Sequence, residues 1–148
     1  RKMMMIKIND ASYEADLVDA FPTIDAGATP LGARVLVQLR KAKKKMTSSG
    51  ILLVRETTDT EKAQNCVGKV VGLGPLAFKK RDTMESWPEG SWCEMGDFLR
   101  VPKWTGDRWE VGMPDAKDDE DRVEFLILND HEIVAKITGN PLAVRAFV

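Results

Sequence analysis

Several places in this sequence carry residue types whose spacing could do chemistry. Gly72-x-Gly74-x-x-Ala77 follows a β-branched run and mimics the glycine spacing that lets a backbone approach a pyrophosphate. That chemistry needs a helix directly after the turn, yet Pro75 sits inside the motif and Pro88 arrives before a helix of useful length is complete. Gly68-Lys69 makes no phosphate loop, because Val70 replaces the magnesium-binding Ser or Thr and Ala63 replaces the first glycine. His131 is the single histidine and lies in a polar turn with no nucleophile placed for it, so a solvated or structural role is expected. Cys66 and Cys93 form no Cys-x-x-Cys pair and read as small apolar fillers in a reducing cytoplasm. The acidic run from Asp115 to Glu124 could attract calcium but lacks the Asp-x-Asp-x-Asp-Gly geometry, and a solvated loop is the better reading. No catalytic residue, resident metal or cofactor is expected, and the chain does not read as an enzyme.

The remaining chemistry is that of contact. Arg40, Lys41, Lys43, Lys44 and Lys45 crowd the stretch that ends at Ser48-Ser49-Gly50, with nothing there to bury. Ile51-Leu52-Leu53-Val54 follows at once, and then polar Arg55 to Lys62. The connection is far longer than the usual ~5 residues, and such connections either carry function or lack order. Its apolar quartet is either a buried strand or a short hydrophobic anchor offered to a partner. The lysines could instead neutralise phosphates while the four tryptophans stack bases, which makes a small β-barrel binding single-stranded nucleic acid the alternative function. Against it, the formal net charge is −1 and no aromatic residue lies within the lysine run, so no nucleic-acid partner is expected.

The elements that must position this segment follow from composition and periodicity. The chain has 148 residues, 43% apolar and 30% charged, which suits one globular domain with an appendage. No apolar run is long enough to span a bilayer, and Arg1 to Lys7 has a basic flank without the apolar core of a leader, so neither membrane nor secretion is expected. Tyr13, Leu17 and Phe21 recur every fourth residue and predict a short helix capped by Asn9 or Asp10 and stopped at Pro22. Ala26-Gly27-Ala28-Thr29-Pro30 reads as a linker. Beyond it the period changes to two. Ala33, Val35, Val37 and Leu39 share one strand face, and Val67 to Leu73 is β-branched with glycines at close approaches. Phe98 to Val101 follows the turn Met95-Gly96-Asp97; Val123, Phe125 and Ile127 lie on one side of another strand; Ile133 to Ile137 supplies the last. Short strands without intervening helices predict an all-β barrel or sandwich.

In this order the motifs resemble the ten-kilodalton co-chaperonins of the GroES type. Pro30-Leu31 with Arg34-Val35-Leu36-Val37 is similar to the family's opening strand, and Ser48-Ser49-Gly50-Ile51-Leu52-Leu53 to its mobile loop. Gly68-Lys69-Val70-Val71-Gly72-Leu73-Gly74-Pro75 resembles its G-K-V-V-x-x-G-P strand, and Met95-Gly96-Asp97-Phe98-Leu99 its V-G-D-x-V turn. Phe125 to Leu128 and His131 to Ala135 resemble the closing strands. The resemblance runs unbroken from about Thr29 to Thr138.

It implies a small GroES-like β-barrel over 29–138 with a mobile loop at 41–65 and a roof hairpin region at 74–94, preceded by an N-terminal extension (1–28) and followed by a tail (139–148). It implies a homo-heptameric lid for a GroEL-type chaperonin ring, assisting the folding of encapsulated client proteins in the cytoplasm, with ATP bound by the chaperonin alone. Gly50, Ile51, Leu52 and Leu53 would make the chaperonin contact; Leu31, Ile133, Val134, Ala135 and Ile137 would lie at the subunit interface. Lys79, Lys80, Arg81, Trp87, Pro88 and Gly90 would form the roof, with its hairpin turn at Trp87-Pro88-Glu89-Gly90. The family's usual roof residues are not recognisable, and extensions of this kind are seen in divergent and virus-encoded members, where the cytoplasm would be the host's.

Overall fold

Val35, Val37 and Leu39 alternate with Leu36 and Gln38, and both sets are buried. One-sided amphipathic strands expose every second residue, so this strand must be covered on both faces. In the computed structural model, which describes residues 13–41, 66–114 and 121–143, it lies inside a single antiparallel sheet. The strands are β1 (Arg34–Leu39), β2 (Val67–Leu73), β3 (Phe98–Arg100), β4 (Asp107–Gly112), β5 (Arg122–Asn129) and β6 (Ala135–Lys136), in the order β4-β5-β1-β2-β3-β6. The fold is the small all-β barrel expected from the sequence.

The sheet curls around a core of Val35, Val37, Leu39, Val70, Leu99, Val101, Leu126, Leu128 and Ile133. Val35 faces Leu128 and Val37 faces Leu126 across the β1–β5 ladder, so apolar side chains meet in register. Between β1 and β2 the register slips after Leu36, leaving Val71 as the extra residue of a bulge. That slip lets Val70 and Leu73, three apart in sequence, both point inward while Val71 points out. Gly68 is needed opposite: a Cβ there would collide with the Cγ1 of Val37.

The outer face is covered as well. Leu36, Val123 and Phe125 form a second cluster with Ala26, Ile24, Trp109, Val111 and Ile127. Val123, Phe125 and Ile127 thus share a face, as their alternation predicts, but it is the face opposite the barrel interior. The indole of Trp109 stacks on Phe125 with centroids 5.9 Å apart, and its Nε1 donates to the Ala26 carbonyl at 2.9 Å. The segment expected as a linker is therefore a strap packed along the sheet, with Ala26 and Pro30 buried.

A helix, α1, occupies residues 13–20 and ends before Pro22, as its four-residue stripe predicts. Leu17 and Phe21 turn onto the barrel, where Ala20, Phe21 and Val67 form a third cluster with Phe98, Ile137 and Leu142. Asn9 and Asp10, the expected caps, lie outside the described residues. Among the described residues, no helix is long and apolar enough to cross a membrane.

Candidate functional site

The segment 42–65 contains Gly50, Ile51, Leu52 and Leu53 and lies outside the described residues. Its two ends are described, and they sit side by side. Beyond the β1–β2 ladder, the N–H of Arg40 donates to the Val67 carbonyl at 2.8 Å, one more rung at the barrel's rim. Lys41 then leaves the sheet: its N–H donates to the Ala20 carbonyl at 2.8 Å, and its ammonium pairs with Asp121 at the foot of β5. The Arg40 guanidinium donates to the Pro141 carbonyl at 2.7 Å, and burial pushes its pKa below the usual value. Two residues back, Gln38 Nε2 donates to the Pro22 carbonyl at 2.7 Å, which satisfies a buried amide. The chain therefore leaves and re-enters the barrel at adjacent antiparallel strands, on a rim built by both chain extensions.

The expected interface residues separate into two kinds. Leu31, Val134 and Ala135 are exposed, Leu31 at 68% and Val134 at 60%. Ile133 is buried in the barrel core, and Ile137 is half-buried in the cluster around Phe21. The last strand is shorter than expected: only Ala135–Lys136 is ladder, continued by Val134 N–H to the Arg100 carbonyl and Ile137 N–H to the Phe98 carbonyl. All of these bonds run to β3 of the same chain.

In the roof region, Lys79, Lys80 and Arg81 are exposed, as is Pro88, while Trp87 is half-buried. The hairpin differs from the sequence expectation. The bridge pairs Lys79 with Ser86, and Lys80 N–H bonds to the Glu85 carbonyl, so the chain reverses over residues 81–84. Trp87 to Gly90 is a separate β-turn, closed by Gly90 N–H to the Trp87 carbonyl, with Gly90 at φ +75°. The reason is aromatic: Trp87 packs edge to face on both Trp92 and Phe78, with centroids 5.0 Å apart for the two indoles and 5.5 Å for Phe78–Trp87. Burying Trp87 against Phe78 draws the start of the Pro-x-Gly turn down to the core and leaves the charged tip outside.

A residue that sequence reasoning missed holds this cluster. Asp130 is buried at 3% exposure, and its Oδ2 accepts the N–H of Phe78 at 2.8 Å across the barrel's top. Its Oδ1 accepts the N–H of His131, whose ring is exposed as expected. Asp130 opens a single turn of 3-10 helix, Asp130–Glu132, in which Asn129 and Glu132 form a capping box. Glu132 also accepts from Thr105, and that hydrogen bond, with the one from the Asn129 backbone, holds its pKa below the ordinary carboxylate value. A buried acid next to a turn is readable from sequence only as polar punctuation, because its partner lies 52 residues away.

Among the described residues no group of three or more His, Cys, Asp and Glu side chains could hold a metal ion. Both cysteines are free and buried, and burial, with Asp97 nearby, pushes the Cys93 thiol up to about 11. Among the described residues no stacking platform for bases is laid out either. Trp87 and Trp92 are locked against Phe78, Trp109 is stacked on Phe125, and Trp104 alone of the four indoles stands in solvent. The sequence profile of the Chaperonin 10 Kd subunit family, Cpn10, matches residues 27–137. That span holds every strand of the barrel and the whole of the apolar-tipped segment, and on it the chain belongs to the Cpn10 family of co-chaperonins.

Proposed function

We propose that this co-chaperonin caps a GroEL-type chaperonin ring as a homo-heptameric lid and docks through Ile51, Leu52 and Leu53, with Gly50 letting the chain turn into the docked conformation. The observation that carries the reading is the Cpn10 match across a segment whose basic and polar arms spring from one rung of the barrel. Nucleotide acts on the partner: ATP binds the chaperonin and exposes the surface that receives the loop, so the chain needs neither an active site nor a cofactor of its own. Leu31, Val134 and Ala135 meet a neighbouring subunit, and the closed ring leaves no strand edge free to aggregate. Client proteins fold in the chamber beneath, in the cytoplasm.

The energetics favour many weak contacts over one strong one. Burying three such side chains contributes roughly 5–9 kcal/mol. Ordering five or six backbone residues costs about the same, at ~1–2 kcal/mol each. A lone loop therefore binds weakly, while loops held on one ring dock as intramolecular events and give avid but releasable capture. The test is ATP-dependent capture by an immobilised chaperonin ring, comparing wild type with Ile51→Ser and Leu52→Ser. Both variants should keep the ring's mass and lose capture. Refolding supported at normal concentration by either variant would place the anchor elsewhere, and salt-sensitive binding to single-stranded nucleic acid would favour the alternative.

A further inference from the structure

We propose that the two terminal extensions clamp the roots of segment 42–65 and so set how tightly it docks. This rests on the docking role given above to Ile51–Leu53. The ladder between β1 and β2 is already closed by Arg40 N–H to Val67, and on the exit side beyond that rung the chain is held by the extensions and by Asp121. Lys41 is the first residue outside the sheet, and it is fixed twice, by the Ala20 carbonyl at the end of α1 and by Asp121. Arg40 reaches the Pro141 carbonyl, 101 residues on, in the tail. On the re-entry side Val67 is buried under Phe21, whose ring lies 5.1 Å from that of Phe98, and Leu142 closes the same cluster. Both extensions thus converge on one spot, and it is the spot where the segment leaves and returns.

The effect on docking follows from tether length. Releasing the clamp frees the residues around Lys41 and lets the start of β2 fray, since Val67 loses the cover of Phe21. An effective concentration falling as the −3/2 power of length drops by about a fifth when about four residues are added to about two dozen, and about fourfold over the six docking events that follow a heptamer's first. Loss of aim adds to this, so about fourfold is the smallest effect expected.

The experiment uses the full chain with Phe21→Ser, which opens the cluster, and Arg40→Met, which frees Pro141. Phe21→Leu serves as the conservative rescue. Ile127→Ala, in the outer cluster at the far end of β5, is the control for destabilisation alone. Chaperonin affinity with ATP, ring mass and amide exchange at Lys41 are read together. Phe21→Ser and Arg40→Met should bind about fourfold or more weakly as intact rings, with faster exchange at Lys41. Phe21→Leu should restore affinity, and Ile127→Ala should melt lower yet bind as wild type. Affinity within twofold of wild type despite fast exchange at Lys41 overturns the clamp. So do rings that fall apart, since the extensions would then serve assembly. Undiminished capture by Ile51→Ser in the same assay would instead remove the docking role on which the clamp depends.

Discussion

Replacing Asp130 with Ala tests what holds the top of the barrel. Phe78 is buried at φ +62°, a backbone region that a bulky side chain occupies only where its surroundings over-determine it. Two constraints do so: the ring's packing with Trp87 and Trp92, and the Phe78 N–H donated to Asp130. The substitution deletes a charge-assisted hydrogen bond and leaves a buried N–H unpaired, for a loss of about 3 kcal/mol. At roughly 2–4 °C per kcal/mol for a domain of this size, the melting temperature should fall by about 6–12 °C. Asp130→Asn keeps an acceptor and should lose about half as much. Thermal unfolding at fixed subunit concentration gives the first readout, because assembly makes melting concentration-dependent. Tryptophan emission gives the second, since Trp87 and Trp92 should move toward water and shift to the red. A melting temperature within about 2 °C of wild type, with unshifted emission, would mean that the aromatic packing alone fixes Phe78.

Three further outcomes are expected. Val134→Glu places a charge on an exposed position of the proposed subunit contact, so it should leave the fold intact and convert a heptamer of 16.5-kDa subunits into smaller species by sedimentation. Proline at 134 would be a poorer probe, because it also deletes the Val134 N–H bond to Arg100 within the chain. Cys93, with its pKa raised to about 11, should resist alkylation in the native protein at pH 8 and react at the normal rate once unfolded. Glu132 has a folded pKa below its unfolded one, so its stabilising effect is complete above the unfolded value near ~4.3 and fades as pH falls through the folded value. Melting curves of wild type and Glu132→Gln should therefore differ at pH 6 and converge in acid.

The strands that form the barrel interior were legible because alternation survives in them: Val35, Val37 and Leu39 read as one face and are one face. The helix at 13–20 was legible for the corresponding reason, an apolar residue every fourth position. β4 was not anticipated, although Trp109 and Val111 alternate with Arg108 and Glu110. Its charges hid the alternation, yet an edge strand carries charge safely. The roof turn was misplaced because Pro88-Glu89-Gly90 is a strong local signal, and a long-range aromatic cluster overrode it. Ile51–Leu53 could be singled out from composition and loop length, but only the family resemblance assigned them a partner. The clamp was illegible altogether. Arg40 and Pro141, or Lys41 and Asp121, are ordinary residues until folding brings them together.

The rung between Arg40 and Val67 separates two kinds of tolerance to change. Below it, β1 is buried on both faces, and substitutions there are felt throughout the barrel. Above it, the chain closes on itself through neighbouring strands, so inserting or removing residues barely taxes the fold: doubling such a loop costs only ~0.6 kcal/mol. The barrel is in this sense a socket, whose plug can be rewritten for a different chaperonin without renegotiating the core. The terminal extensions, fitted around the rim, are where such rewriting would leave its mark on the rest of the sequence.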